Sequence, residues 1–142
     1  MAQALAPFRP RLARIASLAL AVVVVLATVL LVVLMPLSSL DVAGFVLFAL
    51  AIVWFCWRQA SVAAVPDEDG LTVRNLMVTT RLTWPQVVAV RFGDRPWVQL
   101  DLADGDTLAV MGIQRADGER ALAEAQRLST LVAARSGTER DD

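Results

Sequence analysis

Two uninterrupted apolar runs open the chain, and after them the pattern changes to short alternations of apolar and polar positions. Residues 15–35, IASLALAVVVVLATVLLVVLM, make twenty-one consecutive positions without a charge. As a helix rising about 1.5 Å per residue this run spans roughly 30 Å, the thickness of a bilayer core. Residues 42–57, VAGFVLFALAIVWFCW, form a second run of sixteen, and it reaches the same thickness once Leu40 and Asp41 are drawn into the far interface. The pattern predicts two membrane-crossing helices, about 15–35 and 40–57, joined by only a few residues into a transmembrane hairpin. Ser39 or Asp41 is expected to cap the second helix, because an oxygen at a first turn accepts from free backbone N–H groups. A signal-peptide core is shorter, about 7–15 residues, and is followed by a small-residue cleavage site, whereas MPL follows the first run here.

Beyond the runs, alternation predicts short strands at 62–65, 71–75, 77–84, 87–92, 97–102 and 107–111, separated by turn signals. The strongest of these is Asp104-Gly105, which suits a type I′ hairpin. Alternate positions place Leu71, Val73, Val78, Leu82, Trp84, Val88, Val90, Phe92, Val98, Leu100, Leu102, Leu108 and Val110 on one apolar face. The other face carries Thr72, Arg74, Thr79, Arg81, Thr83, Arg91, Gln99 and Asp101. From Asp117, a capping residue, the period becomes helical, with Ala121, Leu122, Ala125, Leu128, Leu131 and Val132 on one side and Gly137 after the last turn. The expected organisation is an N-terminal segment over 1–14, the hairpin over 15–57, a linker and first strand over 58–66, a mainly-β domain over 67–135 and a disordered tail over 136–142.

Composition sharpens this division. Of the 142 residues, 57% are hydrophobic and 19% charged, and between Ile15 and Trp57 only Asp41 and Cys56 can ionise. Arg9, Arg11 and Arg14 precede the first run, Arg58 follows the second, and no basic residue lies between the runs. The positive-inside rule therefore puts both termini in the cytoplasm of an inner-membrane, multi-pass protein. An exported domain with the opposite topology is the alternative. Arg14, Asp41, Trp54, Trp57 and Arg58 are expected at the membrane interfaces, where indole rings and charges reach water. No ionisable group falls mid-span, so the hairpin reads as an anchor rather than a pump or channel. Gly44, Ala49 and Ala51 leave room for self-association.

The chemistry of the polar part excludes more than it offers. With no histidine and one cysteine, zinc sites and Cys-His nucleophiles have no residues to build on. Asp104 and Asp106 flank a hairpin glycine, and Asp67, Glu68 and Asp69 lack the spacing of a calcium loop. No catalytic residue, metal or cofactor is therefore expected. From Asp67 onward nine arginines face thirteen carboxylates, the wrong sign for nucleic acid. Partner-facing candidates are Arg74, Arg81 and Arg91 on the outward face, with Trp97 beside Pro96.

Four segments carry a resemblance: DGLTVRN (69–75), TWPQVV (83–88), DG (104–105) and GIQRAD (112–117). Together with the hairpin order they resemble the pleckstrin-homology-like (PH-like) domain of actinobacterial membrane proteins of the low-molecular-weight protein antigen 6 type. The resemblance implies a split barrel or sandwich of about six or seven antiparallel strands with a C-terminal α-helix. It also implies a membrane anchor, in a family whose members lack a generally assigned biochemical activity. An intact small fold without reactive groups is itself read as a module without catalytic activity that docks another membrane or membrane-associated protein. Binding of an anionic lipid or an envelope precursor is the alternative. Lipid-binding domains of this fold have a basic loop between their first two strands, and here that region is acidic.

Overall fold

Ser38, one residue before Ser39 and three before Asp41, caps the second long helix. Its hydroxyl accepts the Asp41 N–H at 3.2 Å, and the Asp41 carboxylate turns back to the Ser38 N–H and hydroxyl, so the two residues form a reciprocal capping box. The computed structural model describes residues 5–140. Helices α1 (Arg11–Leu34) and α2 (Ser39–Ala60) make a hairpin and outrun the apolar segments at both outer ends, taking in Arg11, Arg14 and Arg58. No residue of α1 is buried and only Ala49 and Cys56 of α2 are. Both helices are long and apolar enough to span a membrane.

The β part is two antiparallel meanders. One sheet orders β1 (Ala63–Pro66), β2 (Gly70–Arg74) and β3 (Thr79–Thr83); the other orders β4 (Val87–Arg91), β5 (Trp97–Leu102) and β6 (Thr107–Gln114). Between the sheets a short 3-10 turn, Trp84–Gln86, seats Pro85 early, where its missing N–H costs nothing. Helix α3 (Glu119–Arg140) follows β6 after a second 3-10 turn, Arg115–Asp117. The core joins the inward residues of both sheets, such as Leu71, Val73, Leu82, Trp84, Val98, Leu100 and Val110, to a stripe on α3 made by Ala121, Ala125, Leu128, Leu131 and Val132.

Several positions depart from simple alternation. Val88 is exposed and Val87 buried, because the 3-10 turn shifts the frame and a bulge falls between Val87 and Ala89 in the pairing with β5. Strand β3 begins at Thr79, leaving Met77 and Val78 in an exposed turn. The Asp104-Gly105 hairpin is present but is not type I′, which needs two positive φ angles. Only Gly105 is positive, at 92°. Its N–H bonds the Leu102 carbonyl at 3.0 Å while the Leu102 N–H bonds the Asp106 carbonyl at 2.9 Å, a turn closed by a glycine bulge. Leu122 faces solvent. Residues 136–140 continue α3 through Gly137 where a tail was expected, and Asp141 and Asp142 lie outside the described residues.

The N-terminal segment has the most consequence for the fold. Residues 5–12 group with the β domain rather than with the helices. Phe8 pairs as an isolated antiparallel bridge with Ala64, exchanging hydrogen bonds of 2.8 and 2.9 Å, and both Phe8 and Pro10 are fully buried. A side chain at Gly112 would place its Cβ 2.5 Å from the Phe8 carbonyl oxygen, so glycine there lets the segment lie against β6. Asp117, expected to cap α3, instead accepts the N–H groups of Arg11 and Leu12 at 2.9 and 2.8 Å and so caps α1.

Candidate functional site

The outward face of β1–β2–β3 is built by alternation: Thr72 and Arg74 on β2 stand beside Arg81 and Thr79 on β3, in the register Thr72↔Arg81 and Arg74↔Thr79. Arg81 is not free on that face. Its guanidinium grips both oxygens of Asp67, with Nη2 3.1 Å from Oδ1, and donates to the Thr72 hydroxyl at 2.9 Å. Asp67 earns that position through the β1–β2 turn, where its Oδ1 also accepts the N–H groups of Asp69 and Gly70, each at 2.8 Å. The Arg81 hydrogen bond, with these backbone donors, holds the Asp67 carboxyl below the usual carboxylate range. Gly70 is required at the end of this turn because a Cβ would overlap the Leu82 carbonyl oxygen. The acidic stretch 67–69 is thus a hydrogen-bonded turn with Arg81 as its counter-ion.

Arg91 belongs to the other sheet and pairs diagonally across β4 and β5 with Asp101 at 2.6 Å. The three arginines therefore do not gather into one basic patch: Arg74 and Arg81 share one sheet, Arg91 lies on the second, and two of the three are paired, Arg81 with a turn carboxylate and Arg91 with one on the neighbouring strand. Arg74 is half-buried and has no ion pair among the described residues.

Trp97 stands at the start of β5, partly buried, and its indole N–H is enclosed with no acceptor among the described residues. An unpaired enclosed donor costs about 1–3 kcal/mol. The same residue lines an open basin of about 450 Å³ with Arg91, Gly93, Asp94, Arg95, Gln99 and Thr107. This is the concave polar feature that the alternation missed, since Arg95 sits in an irregular loop where no period applies. Arg115 lies across the Phe92 ring, 5.6 Å from its centroid.

In the helical unit, Trp54 and Trp57 are exposed in the C-terminal part of α2. Asp41 sits in the first turn of α2 and Arg58 in its last turn, each complementing the helix dipole, while Arg14 is exposed in the first turns of α1.

Two three-stranded antiparallel sheets closed by a C-terminal helix define a PH-like domain. Residues 62–130 match the family described as Bacterial PH domain, and this part of the chain is a bacterial PH domain. Among curated relatives, Uncharacterized protein Rv1417 of Mycobacterium tuberculosis and Uncharacterized protein Mb1452 of Mycobacterium bovis are each 34% identical over 96 residues, which is 67% of this chain and 59% of the relative. The chain therefore spans about 59% of the length of the curated relatives it matches. No solved structure gives a significant match.

Proposed function

We propose that the chain is a membrane-anchored interaction module of the actinobacterial low-molecular-weight protein antigen 6 type. In this reading α1 and α2 span the inner membrane with both termini in the cytoplasm, and the PH domain, without catalytic activity, docks another membrane or membrane-associated protein. One observation carries the choice of a protein partner. Arg81 and Arg91 are already matched by Asp67 and Asp101, so the outward face offers threonine hydroxyls and paired charges rather than a phosphate clamp. Such a mixed, hydrogen-bonding face suits protein contact better than a concentrated anion.

Photo-crosslinkers placed at Thr79 and Thr83 in native membranes test this. A discrete adduct with one protein is expected, lost in Arg74→Glu; a smear of unrelated neighbours sinks the proposal. One-sided reporters fused to the C-terminus check the topology, and activity on the outer side would assign an exported domain instead.

The basin beside Trp97 favours a second reading, in which the domain binds the headgroup of an anionic lipid or envelope precursor. Arg95 lines the basin with no ion pair among the described residues, beside Arg91 and Asp94. Titrating the whole chain with glycerol phosphate decides it: Arg95→Ala must weaken a saturable response, and a response unchanged by that substitution rules the basin out.

A further inference from the structure

The turn joining β2 to β3, residues 75–78, holds two apolar side chains in water: Met77 is 65% and Val78 61% exposed. The turn is firmly built. The Asn75 N–H bonds the Val78 carbonyl at 2.9 Å. The Asn75 side chain reaches β6, donating to the Ala109 carbonyl at 2.8 Å and accepting the Met111 N–H at 3.1 Å. A polar anchor thus fixes an apolar tip, where a solvated turn would ordinarily carry polar residues.

Strand register locates the tip. Ala63 pairs with Arg74, and Arg74 with Thr79, so the tip lies at the end of the sheet where the chain enters β1. Only Ser61 and Val62 separate β1 from α2, and at about 3.3–3.6 Å per residue that connection reaches roughly 10 Å. The far end of the same sheet is the turn of Asp67, Glu68 and Asp69. Arg74, with no ion pair among the described residues, stands next to the apolar tip. An anionic leaflet attracts the first end and repels the other.

We infer that residues 75–78 form a membrane-contacting tip, with Met77 and Val78 seated at the headgroup boundary and Arg74 on anionic phosphates. The lipid surface is the occupant because a connection of two residues tethers the start of β1, at this end of the sheet, to an apolar helix. Contact there gives the domain one preferred attitude and turns the acidic end away from the bilayer. The inference rests on the reading of α1 and α2 as spans, and goes beyond it by assigning a lipid contact to the domain.

The test uses the whole chain in nanodiscs containing phosphatidylglycerol. Cys56→Ala removes the native thiol, and Met77→Cys or Glu68→Cys receives an environment-sensitive fluorophore. The probe at position 77 is expected to shift to the blue and to be quenched by lipids spin-labelled near the headgroup, with the probe at position 68 unquenched. Arg74→Glu, or discs of phosphatidylcholine alone, are expected to reduce the quenching. Should Cys56→Ala not fold, the buried native thiol stays and the signal of the unsubstituted chain is subtracted. Absence of quenching at position 77 in a chain that resists alkaline extraction overturns the lipid contact and makes a protein the occupant to seek. Equal quenching at both positions overturns it as well. Release of the chain by alkaline extraction instead refutes the spans, and the tip contact with them.

Discussion

Arg127 of α3 covers the ring of Phe8, its guanidinium carbon 3.8 Å from the ring centroid, and donates to the Ala6 carbonyl at 3.0 Å. A residue eight positions into the chain is thereby fastened to a helix more than a hundred positions later. The Glu124 carboxylate, 2.6 Å from the same guanidinium, steadies it. The hairpin of α1 and α2 is thus inserted in sequence between an edge piece of the folded β unit and the rest of it, so that unit is discontinuous in sequence.

Phe8→Ala is expected to destabilise the domain by about 3–5 kcal/mol, the usual loss for a fully buried phenylalanine. Arg127→Ala is expected to cost less, about 0.5–2 kcal/mol for the cation–π contact. Urea unfolding of the detergent-solubilised chain, followed by tryptophan fluorescence, measures both. Equal midpoints for the parent and Phe8→Ala would show that the segment is dispensable.

Much of this fold was legible because its signals are local. Strand β5 begins and ends where alternation put it, at Trp97 and Leu102, and α3 buries Ala121, Ala125, Leu128 and Val132 in a helical period. The segment around Phe8 was not legible: APFRP has no period, and its burial depends on Gly112, a hundred residues away. Val87 and Val88 exchanged faces because a 3-10 turn and a bulge change the frame, and neither leaves a mark in an apolar-polar pattern. The outward placement of Arg74, Arg81 and Arg91 followed from alternation, and so did Asp101 on the same face, a setting for cross-strand pairing, but the exact partners did not. Pairing Arg91 with Asp101 requires the register of two strands, and pairing Arg81 with Asp67 requires the shape of a turn. The segments carrying the family resemblance hold residues with strict steric or hydrogen-bonding duties, namely Gly70, Asn75, Trp84, Gly112 and Asp117.

Gly112→Ala places a methyl group within overlap distance of the Phe8 carbonyl oxygen and the Ala64 nitrogen. Both are backbone atoms held in the bridge, so neither yields as a flexible side chain would. A loss of about 1–3 kcal/mol is expected, as for other overpacked sites. Hydrogen exchange at the Ala64 amide locates the damage, and it should accelerate relative to amides in β5.

Acid should loosen the β1–β2 turn before the rest of the sheet. The Asp67 carboxyl is lowered by Arg81 and by two turn amides, so its contribution is present above the unfolded carboxyl value and is lost as pH falls through the folded value. Solvent screening keeps the contribution small. Asp67→Asn removes this part of the acid dependence, and unfolding midpoints measured across the acidic range for both chains check it. Parallel curves would mean that the pair contributes nothing.

Asp117 accepts the first two N–H groups of α1 and satisfies donors that the helix itself leaves open. Asp117→Ala is expected to cost about 0.5–2 kcal/mol, with Asn recovering most of it because an amide oxygen caps nearly as well. The amides of Arg11 and Leu12 should exchange faster in the alanine variant and remain protected with asparagine.

Asn75 joins the two sheets through one short side chain, bonding the Ala109 carbonyl and the Met111 N–H on β6. Alanine at this position leaves a strand donor and a strand acceptor without their partners, and the loss depends on whether water reaches them. With both groups part-buried, about 1–3 kcal/mol is expected. Aspartate separates the two bonds, since it can accept from Met111 but cannot donate to Ala109 when ionised. The order of stability should therefore be asparagine, aspartate, alanine, read from urea midpoints, with Met111 amide exchange slow in the first two and fast in the third. A fast Met111 amide in the aspartate variant would mean that the donor bond to Ala109 positions the side chain and that the two bonds form only together.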